Sequence, residues 1–227
     1  MAYPEVPAHA RHGRLRLPPG RSEGSTAPPG RGEVRVAGEV VGLLHAPPGL
    51  PERLVVLFHG SGGSAEDGLR LLAGHADERH LLLFAPQSVG RTWDVVDPGF
   101  GPDVVRVDTA LRDLLDRYAL ARPDLAVGGF SDGASYALSL GLGNGDVFGA
   151  VLAFSPGFAA PGASVGTPAC FVSHGRADAI LPIDLCSRRL VPVLERAGYA
   201  VRYREFDGGH EVPPDVLREA LDWLAEN

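Results

Sequence analysis

The chain has 227 residues, 44% hydrophobic and 22% charged, the proportions of an ordinary globular protein and enough for one sizeable core. A formal net charge of −7 excludes the basic stripe that nucleic-acid binding requires. All 21 basic residues are arginine, which removes Schiff-base chemistry, the phosphate-loop lysine and lysine general bases together.

Residues 1–32 are rich in Pro, Gly and Arg, with five arginines against two glutamates, and read as a partly ordered arm. The arm lacks the apolar segment of a secretory signal. Within it, Gly13-Arg14-Leu15-Arg16-Leu17 alternates like a short edge strand, and the arm is a candidate dimer element.

From residue 33 to 227 strands and helices alternate as one domain. Residues 34–36 and 40–44 suggest a hairpin, and the unbroken apolar run 54–58 suggests a strand covered on both faces. A helix over 65–78 and a strand over 81–84 follow. Residues 86–103, PQSVGRTWDVVDPGFGPD, form a long connection with no evident element of its own, which in a small domain points to function. Val104, Val107, Leu111, Leu114, Leu115 and Tyr118 then share one helical face. The remaining order is strand 124–128, helix 132–142, strands 147–154 and 169–173, helix 184–197, strand 199–206 and helix 213–226. Pro192 should kink the penultimate helix, whereas Pro213 and Pro214 suit the first turn of the last one. Nowhere do apolar residues run to the roughly 18 needed to span a membrane. Cys170 and Cys186 offer neither a disulfide framework nor metal-ligand spacing, and fit free thiols in a cytoplasmic protein. The fold class expected is α/β: a mostly parallel, doubly wound sheet with helices on both sides. The stretch 155–168 is too short to build a helical lid.

Gly129-Phe130-Ser131-Asp132-Gly133 follows an apolar strand and opens a helix. That context turns Gly-x-Ser-x-Gly into a sharp elbow presenting Ser131 as a nucleophile, with glycines where neighbouring backbone must pass. A serine hydroxyl needs a base. Of the eight histidines, only His210, in GGHEVP, follows the final strand; His59 and His174 end strands as His-Gly and suggest loop packing. Asp178, in the loop after strand 169–173, is the expected third member, with Asp184 and Asp207 as rivals. The oxyanion donors expected are the backbone N–H groups of Asp132 and Ser61, with Gly62 as the neighbouring alternative in FHGSGG. Trp93, Phe154 and Leu181 are the expected pocket walls.

FHGSGG, GFSDG, SHGRAD followed by Leu181-Pro182, and GGHEVP together resemble the carboxylesterase/phospholipase family of α/β-hydrolases, which includes the acyl-protein thioesterases. The similarity runs from about residue 33 to the C-terminus, and Arg91-Thr92-Trp93-Asp94 resembles that family's Trp-containing loop. Asp132 departs from the pattern, since the family usually has glutamine after the nucleophile. The resemblance implies a single-domain hydrolase without a lid domain, needing no metal or organic cofactor and acting on short carboxylic esters. Thioesters or lysophospholipids are the nearest alternative substrates. A small serine peptidase with the same triad, or a binding module without turnover, remains a competing reading.

Overall fold

The computed structural model describes residues 6–18, 28–95, 99–118, 120 and 124–227. Its frame is one eight-stranded sheet, β1 (Gly30–Val36), β2 (Glu39–Ala46), β3 (Arg53–Phe58), β4 (Leu81–Pro86), β5 (Leu125–Phe130), β6 (Ala150–Phe154), β7 (Ala169–Gly175) and β8 (Val201–Phe206). The spatial order is β1-β2-β4-β3-β5-β6-β7-β8. The first two strands pair antiparallel, and β2 joins β4 antiparallel; every later pairing is parallel. The hairpin thus closes one edge of a parallel sheet whose crossovers are helical, as strand–helix alternation demands.

Strands β3, β4 and β6 are buried along nearly their whole length because helices cover both faces. One face packs α3 (Pro102–Arg117) and α4 (Asp132–Gly143) into a core with Val56, Phe58, Val127 and Val151. The other packs α2 (Ala65–Arg70) and α6 (Pro214–Glu226) against Val55, Leu57, Leu152 and Phe171. The edge strand β8 alternates half-buried and exposed residues, as a strand with one solvated face should.

Several local expectations change. The helix expected over 65–78 stops at Arg70 and resumes as a 3₁₀ turn over Ala73–His75, because Leu72 leaves helical geometry between Gly68 and Gly74. The strand expected from 147 begins at Ala150; the preceding residues turn back, with Val147 and Phe148 donating to the Asn144 carbonyl. Pro192 lies inside α5 (Ser187–Arg196) without ending it, since proline there removes only the bond to the Arg188 carbonyl. Residues 156–168 form no helix and no strand.

Of the arm, residues 30–32 already belong to β1. Residues 6–18 carry a single helical turn, α1 (Ala8–Arg11), and the alternation at 13–17 makes no strand. Instead Leu15 and Leu17 are buried in the core, while Asn144 grips the backbone by accepting from Leu15 N–H and donating to the Gly13 carbonyl. Arg14 pairs with Asp146, and Arg16 N–H donates to Asp108. The alternation therefore sorts side chains between core and solvent across helices rather than across a sheet.

Candidate active site

Ser131 stands where β5 ends and α4 begins, at φ 60° and ψ −125°, a conformation that an L residue adopts only at a cost of about 1–3 kcal/mol. The tightness of that turn fixes its flanks. A Cβ on Gly129 would lie 2.5 Å from the Gly133 carbonyl oxygen and 2.6 Å from that of Phe58. A Cβ on Gly133 would collide with the same Phe58 carbonyl. The bend is held by Ser131 N–H donating to the Phe154 carbonyl (2.9 Å).

His210 comes from the loop between β8 and α6. Its Nε2 lies 2.9 Å from Ser131 Oγ, and its Nδ1 lies 2.6 Å from Asp178 Oδ2. The Phe130 ring packs on the imidazole with centroids 4.6 Å apart, a contact that no motif or spacing signals. Asp178 sits in the turn after β7 with its carboxylate fully engaged: Oδ1 accepts from the N–H groups of Ile180 (2.9 Å) and Leu181 (2.8 Å), and Oδ2 faces His210. Burial opposes ionisation, but the His210 hydrogen bond, those amides and the His210 charge outweigh it and hold the carboxyl below the usual aspartate range. The rivals lie elsewhere. Asp184 pairs with Arg188, and Asp207 with Arg176, both at the surface.

The three side chains named from sequence are therefore joined in one hydrogen-bonded line above the C-terminal edge of the sheet, where open α/β folds bind ligands. With Nδ1–H donating to the aspartate, the Nε2 lone pair faces the serine hydroxyl and can accept its proton.

Around Ser131, Gly60 approaches from the loop after β3; a Cβ on it would stand 3.4 Å from that of the serine. Gly62 N–H already donates to the Arg91 carbonyl (2.7 Å), which removes the alternative oxyanion donor. The N–H groups of Ser61 and Asp132 donate to no protein acceptor among the described residues, and that of Asp132 is one of the open amides of a helix start. The Asp132 carboxylate is turned aside by Thr92 Oγ1–H (2.8 Å).

Thr92 belongs to the connection 86–103, whose described part works as a scaffold. Besides Arg91, it braces the loop after β3 through Trp93 Nε1–H to the His59 carbonyl (2.8 Å) and Gln87 Oε1 accepting from Ala65 N–H (2.8 Å). Ser88 N–H donates to His59 Nε2 (3.3 Å). Because a backbone N–H meets Nε2, the His59 proton sits on Nδ1 and goes to the Gly60 carbonyl (2.7 Å); burial lowers the ring's basicity and keeps it neutral. Residues 96–98, where the notional loop continues, lie outside the described residues.

This scaffold corrects two of the three pocket walls. Trp93 is 1% exposed and packs among Phe58, His59 and Tyr136, so its ring is core. Phe154 is fully buried against Phe171 on the opposite face of the sheet; only its backbone reaches the serine. Leu181 is half-buried beside Gly157, and its neighbour Ile180 is largely exposed; both belong to the turn that holds Asp178.

The same connection buries two further acids that the sequence left unread. Asp94 Oδ2 accepts from the N–H groups of Gly101 and Asp103 (both 2.8 Å); Asp103 accepts from Val89 (2.7 Å) and Asp94 (3.0 Å). Burial first, and the neighbouring Asp94 charge second, push the Asp103 carboxyl up to about 7, and burial also raises Asp94. Tyr136 faces the pair from α4, its phenol raised well above the usual range by burial and by both carboxylates.

A family model described as Phospholipase/Carboxylesterase matches residues 105–227, a span containing Ser131, Asp178 and His210. Among curated proteins none matches. Of solved structures, esterase PE8 is 26% identical, covering 82% of this chain and 98% of its own, with a TM-score of 0.70. TT1662 from Thermus thermophilus is also 26% identical, covering 86% and 96%, with a TM-score of 0.64. Acyl-protein thioesterase 2 from Zea mays shares the fold at 20% identity, covering 81% and 96%, with a TM-score of 0.60. Strand order, helical crossovers and a family match over more than half the length agree: the chain belongs to the phospholipase/carboxylesterase family of α/β-hydrolases.

Proposed function

We propose that this protein is a serine hydrolase that cleaves short-chain carboxylic esters through an acyl-enzyme on Ser131. The observation that carries the reading is the line Ser131 Oγ, His210 Nε2, His210 Nδ1, Asp178 Oδ2, with spacings of 2.9 and 2.6 Å. Ser131 attacks the ester carbonyl while His210 takes the hydroxyl proton, and the negative charge on the carbonyl oxygen is met by the N–H groups of Ser61 and Asp132. Collapse of the adduct expels the alcohol, which receives the proton from His210. Water then enters, loses a proton to the same imidazole and releases the acid, restoring the serine. Asp178 stays ionised throughout and orients the ring.

A modest substrate is supported by the connection after β6, which carries no helical insertion to cover a long chain, and by the apolar Ile180 and Leu181 in the turn that holds Asp178. The test is hydrolysis of p-nitrophenyl esters of increasing acyl length, with a fluorophosphonate probe reporting the nucleophile. The expected result is turnover greatest on short acyl chains and labelling that vanishes in Ser131→Ala. Labelling that persists in that variant, or turnover of thioesters or peptides without turnover of esters, overturns the reading.

A further inference from the structure

Behind Asp178 lies a second imidazole. His174, in β7, is completely buried; its Nε2 lies 2.7 Å from the Leu181 carbonyl oxygen and 3.3 Å from Asp178 Oδ2. Its Nδ1 lies 2.6 Å from Ser187 Oγ, the first residue of α5 and equally buried. The proton positions follow from these partners. Nε2 faces two oxygens that can only accept, so it carries the hydrogen; burial lowers the basicity of the ring, which is therefore neutral, and Nδ1 keeps a lone pair. Ser187 must then donate its hydroxyl to Nδ1. If the tautomer reversed, a lone pair would point at both the Leu181 carbonyl and the carboxylate.

The bonds close a ring around the acid. Leu181 N–H holds Asp178 Oδ1, the Leu181 carbonyl is held by His174, and the same His174 N–H inclines toward Asp178 Oδ2. The titratable groups around the carboxylate are His210, His174 and Cys186, whose thiol is raised by burial first and by the Asp178 charge second. Of these three groups, the two imidazoles are the ones that turn an N–H toward the acid.

We propose that Ser187 and His174 are positioning residues that act in series on Asp178, extending the line from Ser131 into α5. This rests on the reading of Ser131, His210 and Asp178 as the catalytic set. The relay fixes the carboxylate in register and partly neutralises it, so losing the relay leaves the acid more basic toward His210.

The experiment uses the full chain with Ser187→Ala, Ser187→Thr, His174→Gln and the double variant His174→Gln/Ser187→Ala. Two readouts are taken: the pH profile of p-nitrophenyl acetate kcat/KM, and the low-field proton resonance of the His210 Nδ1–H. In Ser187→Ala the acid limb is expected to move up by about half a pH unit, kcat to fall roughly tenfold with KM unchanged, and the resonance to move downfield. Ser187→Thr, which keeps a hydroxyl, restores both readouts. Glutamine at 174 keeps a donor that does not depend on Ser187, so the double variant should match His174→Gln. Unmoved limb and resonance in Ser187→Ala, a loss expressed only in KM, or an undiminished Ser187 effect in the His174→Gln background each overturn the proposal. If the parent turns over no ester while the resonance behaves as described, the relay stands and the esterase reading falls.

Discussion

Asp178 and Asp103 are both nearly excluded from solvent, 5% and 2% exposed, and each accepts two backbone N–H groups in a connection leaving the same edge of the sheet. Their carboxyls nevertheless shift in opposite directions, one below the usual range and the other up to about 7. Desolvation, the first cause of the Asp103 shift, and amide donors act on both, so they do not by themselves separate the two acids. The remaining neighbour does: Asp178 faces the Nδ1–H of His210, whereas Asp103 faces the charge of Asp94. Burial beside a second carboxylate thus makes a proton trap, and burial opposite a donor makes a permanent anion. The chain uses the second beside Ser131 and the first inside the scaffold.

The largest test breaks the Asp178 side. Asp178→Asn should lower kcat by about 10⁴-fold, because the imidazole then meets an amide instead of an anion and loses its orientation. A burst experiment with p-nitrophenyl acetate measures it. Next comes the scaffold itself. Trp93→Ala removes a buried ring and the bond to the His59 carbonyl, and should cost about 3–5 kcal/mol by chemical denaturation.

A subtler change sharpens the contrast between the acids. The folded state raises Asp103 from 3.8 to about 7, so it binds that proton more tightly than the unfolded chain. The stabilising contribution is complete below pH ~4 and is lost as pH climbs through about 7. Asp178 has the reverse sign: its contribution is present above the ordinary carboxylate range and is lost on acidification. Asp94→Asn can keep both amide donors through its oxygen while removing the charge beside Asp103. Denaturation curves between pH 4 and 7 should then slope less steeply than the parent's; an unchanged slope would assign the shift to desolvation alone. Smallest of all, Thr92→Val releases the Asp132 carboxylate near the amides proposed to meet the oxyanion, and should reduce kcat by less than about tenfold while leaving stability within roughly 1 kcal/mol.

The same contrast explains what could be read from residues alone. Ser131, Asp178 and His210 each follow a strand, in the order that this kind of sheet imposes, so motif and order point to three side chains that the structure joins by hydrogen bonds. The parallel core was equally visible, because a short unbroken apolar run such as 54–58, followed by glycines, suits a strand covered on both faces. Trp93, Asp94 and Asp103 were opaque. They occupy a connection without periodicity, and whether such a side chain points inward depends on contacts with Phe58, Tyr136 and the loop after β3. His174 was visible as a residue but not as a donor, since its role depends on Ser187 reaching it from a different element. The alternation at Leu15 and Leu17 suggests an edge strand, but these residues make none, and both leucines enter the core.

One consequence of the elbow reaches beyond chemistry. Position 131 holds a torsion that glycine takes freely and serine does not, so Ser131→Gly would relieve the bend while removing the hydroxyl proposed as the nucleophile. Durability gained at this position therefore comes with the loss of the group that faces His210.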